Sequence, residues 1–184
     1  MPTGMAPERE LLPAQRRAAN EVNAWHILMM EIAKPRHVAP RFLRDAEDYV
    51  ESVRQLAALQ GGIVRKWVSP IYQLLCHAIE LTLKAYLAAS GVPITTLANH
   101  IGHDLELAFR CAQKHGFTPS DARFWEVVQS LAPYHLDHSF RYGKPHGYVT
   151  HPEPSKAAEV IANTIKGTVE PYVRRQYDDI NQGR

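Results

Sequence analysis

The sequence predicts an all-α protein: an up-and-down helical bundle with an N-terminal helical arm. Three observations predict it. Apolar residues recur at steps of three and four along most of the chain, the spacing that places them on one face of a helix. The stretches with that spacing are bounded by Pro, Gly and short polar residues, which start and stop helices. No segment alternates apolar and polar residues with the period of two that a half-buried strand needs. At 184 residues, 45% hydrophobic and 22% charged, the chain fits one domain with an extra arm and a substantial core.

Pro2, Pro7, Pro13, Pro35 and Pro40 interrupt the first forty residues, so residues 1–40 are expected as the arm and 41–184 as the bundle. Within the arm, Arg16 to Ala33 is predicted helical, with Trp25, Ile27, Leu28, Met29, Met30 and Ile32 as an apolar patch. Such a patch must be buried on the arm's own domain or on a second copy of the chain. The next helix is predicted from Phe42 to Gln60 by the spacing Leu43, Ala46, Val50, Val53, Ala57, and Gly61 and Gly62 stop it. A helix from Ser69 to Gly91 follows, with Ser69 as its N-cap and Pro70 at its first position.

That helix is apolar around most of its girth: Ile71, Leu74, Leu75, Ala78, Ile79, Leu81, Leu83 and Leu87. One polar file crosses it, formed by Gln73, His77, Glu80 and Lys84, which stack on a single face. Burying such groups costs several kcal/mol unless they are paired, so the file is a satisfied structural network, a functional site, or a solvated face carrying an i, i+4 ion pair.

His103 to His115 reads as a further helix, with Asp104 and Glu106 at its positive end, Leu105, Ala108, Phe109 and Ala112 facing inward, and Gly116 as its cap. Thr118 to Asp121 opens another, carrying Phe124, Val127, Val128 and Leu131 and stopped by Pro133. Tyr134 to Pro154 reads as a loop rich in Tyr, His and Arg. A last helix is expected from about Ser155, with Val160, Ile161, Ile165, Val169 and Val173 inward and a kink or break at Pro171.

No apolar run approaches the roughly 20 residues of a bilayer span, and the N-terminus lacks a signal-peptide layout, so a cytoplasmic protein with no membrane partner is expected. Cys76 and Cys111 fall in helical segments and read as small core residues. A formal charge of +2 permits nucleic-acid binding without arguing for it. His100-x-x-His103-Asp104 and His135-Leu-Asp137-His138 group possible metal donors, but neither spacing matches a strong zinc signature. No metal and no cofactor is therefore assigned. Nucleophilic triads, phosphate-cradling glycine loops and dinucleotide fingerprints are absent from the sequence.

The ordered pair His77-Ala-Ile-Glu80-Leu-Thr-Leu-Lys84-Ala-Tyr-Leu and Gly102-His103-Asp104-Leu105 resembles the HEPN family (higher eukaryotes and prokaryotes nucleotide-binding), over roughly Ser69 to Ile165. The resemblance implies a nucleotide- or RNA-binding homodimer of the toxin and defence type, with a protein partner such as an antitoxin. Many members are metal-independent endoribonucleases with an R-x4-6-H signature, which Arg141-Tyr-Gly-Lys-Pro-His146 matches. By that resemblance Arg141 and His146 are the candidate catalytic pair: a guanidinium fork to hold phosphate and an imidazole to move a proton. Lys84, His103, Tyr142 and Lys144 are candidate contacts to nucleotide or RNA, with His77, Glu80 and Asp104 behind them as orienting groups. Tyr142 stands where active members carry a small polar residue, a feature shared with non-catalytic members. The alternative is accordingly a helical interaction module that assembles with itself or with a protein partner.

Overall fold

The computed structural model describes residues 35–59, 68–142 and 151–182, most of them helical and the rest in turns or short connections, with no strand among them. The expected arm helix from Arg16 to Ala33 lies outside the described residues, as do Lys144 and His146. The labelled helices are α1 (Pro35–Leu59), α2 (Val68–Ala89), α3 (Leu105–Lys114), α4 (Phe124–Leu136), α5 (Ser139–Tyr142), α6 (Pro154–Thr164) and α7 (Glu170–Asn181). A short helical turn at Ile94–Thr96, widening to π geometry over Leu97–Ile101, joins α2 to α3. The all-α bundle expected from the sequence is the architecture found. None of these helices is long and apolar enough to cross a membrane.

α2 is the axis of the bundle and touches every other labelled helix. Its sequence explains why: Leu75, Ile79, Leu83 and Leu87 are fully buried on one side, and Cys76, Ala78, Ala85, Ala88 and Ala89 close the others. Each large side chain withdrawn from water contributes about 1.5–3 kcal/mol, so an element apolar on all sides is driven to the centre. The long α1 lies against it with Ala39, Leu43, Ala46, Val50 and Val53 buried at helical spacing. Burial pushes the Cys76 thiol pKa up, so it stays protonated, and Cys76 is core as expected.

Helix ends follow local chemistry. Gly91 and Gly116, with φ of +88° at both, end α2 and α3 in left-handed turns. In each turn the next residue's N–H reaches back five residues, Val92 to the Leu87 carbonyl and Phe117 to that of Ala112. At the start of α3 the Asp104 carboxylate accepts from the Leu107 N–H at 2.9 Å. Asp104→Ala is expected to cost about 1 kcal/mol, read as a lower urea midpoint with an unchanged m-value. A loss within error would deny the cap that weight.

Three expectations about prolines need correction. Pro40 lies inside α1, which starts at Pro35 instead of Phe42. Near a helix start it forfeits a single bond, to the Arg36 carbonyl, and tertiary packing outweighs that. Pro70 and Ser69 sit within the first turn of α2, which begins at Val68, where N–H groups need no helical partner. Pro133 does not stop α4, which runs on to Leu136. Both Pro133 and Gln129, whose carbonyl loses its helical donor, are at exposed positions, where water can take the donor's place.

The stretch from Tyr134 to Pro154 is therefore not one loop: its first residues complete α4, and Ser139–Tyr142 forms α5. At Pro171 the chain does not break. The helix widens to π geometry over Ile165–Val169, which accommodates the proline before α7 continues.

Candidate functional site

The polar file of α2 is buried against other helices, and Glu80 is its centre. This carboxylate is 5% exposed, and three side chains donate to it. Lys84 Nζ, one turn on, lies 2.6 Å from Oε1. His135 Nε2, from the last turn of α4, lies 2.6 Å from Oε2. His103 Nδ1, from the turn before α3, lies 2.9 Å from the same Oε2. Burial pushes the Glu80 pKa up, but the hydrogen bonds from His135, Lys84 and His103 and the charge of Lys84 prevail, holding it well below the usual carboxylate range. An ionised carboxylate only accepts, so both imidazoles turn a protonated nitrogen toward it. That fixes their orientation. The buried Nδ1 of His135 has no hydrogen-bond partner among the described residues.

His77 completes the cluster from the N-terminal side. Its Nδ1 is 4.0 Å from Glu80 Oε2, and its Nε2 is 2.7 Å from the side-chain amide of Gln73. Its ring stacks on Tyr49 of α1 at 5.4 Å between centroids and 26° between planes. Burial lowers the His77 pKa more than the nearby Glu80 charge raises it, with His135, His103 and Arg141 also pushing it down. His77 is accordingly neutral at pH 7.

From here the imidazoles run outward as a series of edge-to-face contacts: His77 to His135 at 5.2 Å, His135 to His103 at 5.4 Å, and His103 to His138 at 5.4 Å. The series ends on Tyr142, 6.2 Å from His138. His138 holds a φ of +59°, the left-handed region, at the junction of α4 and α5. Non-glycine residues in that region carry strain and concentrate at functional sites.

The sequence-predicted residues fall into three groups. Glu80, Lys84, His77 and His103 are brought together, from two separated segments, as one network. Arg141 and Tyr142 lie at its exposed rim on α5, with Tyr142 67% exposed and the Arg141 guanidinium 5.6 Å from the Tyr142 ring centre. Asp104 is not part of the network, since its carboxylate caps α3. Lys144 and His146 lie outside the described residues, so the Arg141–His146 geometry belongs to no observed contact.

His135 and His138 enter the sequence reading only as possible metal donors and as part of the Tyr134 to His151 loop expected to line the cleft, with no role of their own at the site. A helix ending at Pro133 would place His135 in a loop, whereas the extra turn after Pro133 aims it at Glu80. The available signal was positional: continuing the α4 register from Leu131 brings residue 135 onto the same inward face, at i+4.

Chemically, the cluster is a dry carboxylate anchoring imidazoles whose burial grades from complete at His135 to half-exposed at His103. Such pairs hold a ring in one orientation so that its other nitrogen can exchange a proton, while a guanidinium at the rim can hold an anion. No family model matches the chain, nor does any curated protein or solved structure.

Proposed function

We propose that the chain is a nucleotide- or RNA-binding protein of the HEPN type, acting in the cytoplasm as a homodimer with the rim of the Glu80 cluster as its working surface. The observation that carries this reading is the convergence of Glu80 and Lys84, from the E-x-x-x-K-A-x-L helix, with His103, from the G-H-D-L helix start. Arg141 is the phosphate holder, placed close enough that its charge bears on His77. Tyr142 offers an exposed ring on which a base can stack, and Lys144 adds positive charge by its position in sequence.

In the endoribonuclease form of the reading, His146 takes the proton of a ribose 2′-hydroxyl as that oxygen attacks the adjacent phosphorus. The 5′-oxygen leaves with a proton from a second imidazole, giving a 2′,3′-cyclic phosphate and a free 5′-hydroxyl. His103, held by Glu80, is oriented at the half-exposed edge to supply that proton. An antitoxin-like protein is the partner such a nuclease would need.

Incubating the protein with structured and unstructured RNA in excess chelator tests this. Cleavage is expected in wild type and is expected to fall about 10²–10⁴-fold in Arg141→Ala and His146→Ala, the range for loss of one acid–base or positioning group. Full cleavage by both variants would exclude the pair. RNA binding that weakens in Arg141→Ala, with no cleavage by any form, would select the non-catalytic interaction module.

A further inference from the structure

We propose that the buried end of the same cluster, His77, Glu80 and His135, is a binding site for one divalent first-row transition ion of the zinc type. His77 and Glu80 stand at i, i+3 on α2, so one helix supplies two donors on one face, and α4 supplies the third. The donor atoms of the three residues lie within 4.8 Å of one another. Around zinc, bonds of about 2.0–2.1 Å in a tetrahedron put neighbouring ligand atoms about 3.3–3.5 Å apart. The His77 Nδ1 to Glu80 Oε2 separation of 4.0 Å and the His135 Nε2 to Oε2 separation of 2.6 Å bracket that spacing. Closing the first and opening the second would bring both to that spacing.

Two imidazoles and one carboxylate form a three-ligand set that leaves a fourth position for water, and this mixture of nitrogen and oxygen suits zinc and its first-row neighbours. The groups behind the donors strengthen the assignment. Lys84 occupies Glu80 Oε1, which leaves Oε2 as the single ligating oxygen. Gln73 faces the far nitrogen of His77 at 2.7 Å. The atom placed there is the amide nitrogen, with the amide oxygen buried and without a partner among the described residues. Exchanging the two amide atoms satisfies that oxygen, puts the proton on His77 Nε2 and leaves Nδ1 to present its lone pair toward Glu80, the arrangement usual for a histidine that binds metal. The ion would take the place of the proton between His135 Nε2 and Glu80 Oε2; the neutral ring then carries its one proton on Nδ1, and a second proton, where the ring holds two, passes to solvent. His103 keeps its hydrogen bond to Oε2. The site needs neither RNA nor Arg141, so it goes beyond the functional reading above and stands apart from it.

The test is equilibrium titration of chelator-stripped, full-length protein with Zn²⁺ and, as a spectroscopic probe, Co²⁺, in the absence of RNA. One equivalent is expected to bind tightly, with the Co²⁺ form showing the visible absorption of low-coordinate nitrogen and oxygen ligation. Affinity is expected to fall more than 100-fold in Glu80→Gln and His135→Gln, and about 10–100-fold in Gln73→Ala, which removes the group supporting His77. His100→Asn, at an exposed position outside the cluster, is expected to leave it unchanged. Because Glu80 and His135 are buried, His77→Asn at the half-buried position is the companion variant, with circular dichroism to establish its fold. It too is expected to lose more than 100-fold. Wild type that binds no ion at stoichiometric concentration overturns the proposal, and so does a folded His77→Asn that retains full affinity.

Discussion

Glu80→Ala is expected to destabilise the protein by about 3–5 kcal/mol, a large share of what holds a domain of this size together. Removing the carboxylate leaves the ammonium of Lys84, a residue 9% exposed, and the Nε2–H of His135, a residue 1% exposed, without their acceptor in a buried setting. The hydrophobic loss from such a short side chain is small by comparison, so the uncompensated donors account for the effect. Glu80→Gln keeps the shape and one acceptor, and it is expected to lose about 1–3 kcal/mol, because its amide NH₂ then faces donors on one side. Urea denaturation at neutral pH in chelator measures both.

The pH dependence follows from the same contacts. The native Glu80 pKa lies below its unfolded value, so the unfolded chain binds more protons in the interval between them. Its contribution is therefore complete above the unfolded pKa of about 4.3. That contribution is lost as pH falls from there through the native value, and Glu80→Gln is expected to remove this part of the acid slope. An unchanged acid slope in the Gln variant, or an Ala variant as stable as wild type, would show that the network contributes no stability.

Much of the fold was legible because its determinants are local. The core stripe of α1, the turns at Gly91 and Gly116, and the inward face of α3 are each set by residues within a few positions of one another, whereas Asp104, expected to orient the site, caps α3 instead. The polar file on α2 was legible for the same reason: an i, i+3, i+4 pattern on an otherwise apolar helix can be read directly. What closes the site was not local. Whether Glu80 is paired in water or in the core depends on α4 and the α2–α3 turn arriving beside it, and His135 is 55 residues away in sequence.

The prolines misled for a related reason. Pro40 and Pro133 each forfeit a backbone bond, a local cost that favours a stop. Burial of Ala39 and Leu43 around the first, and of Leu131, Ala132 and His135 around the second, holds the helix through it. A one-turn error at Pro133 was enough to move the most buried histidine of the cluster from the site to a loop.

The triple variant Glu80→Met, Lys84→Met, His135→Leu is expected to fold at least as stably as wild type, and up to about 1–4 kcal/mol better, in sharp contrast to Glu80→Ala alone. Each charged or polar group taken from water carries a desolvation cost that its pairing must repay, whereas apolar side chains of similar volume fill the same space between α2 and α4 with no such debt. His103, half-exposed, turns to solvent when its acceptor goes. If the triple variant is stable, as urea denaturation would show, then stability does not account for a buried carboxylate, a buried ammonium and a buried imidazole at the axis of this bundle. Their retention then points to work at the site, and the same variant is expected to lose Zn²⁺ binding entirely. A triple variant as unstable as Glu80→Ala would instead make the network a structural requirement of the fold, with its cost repaid by specificity of packing.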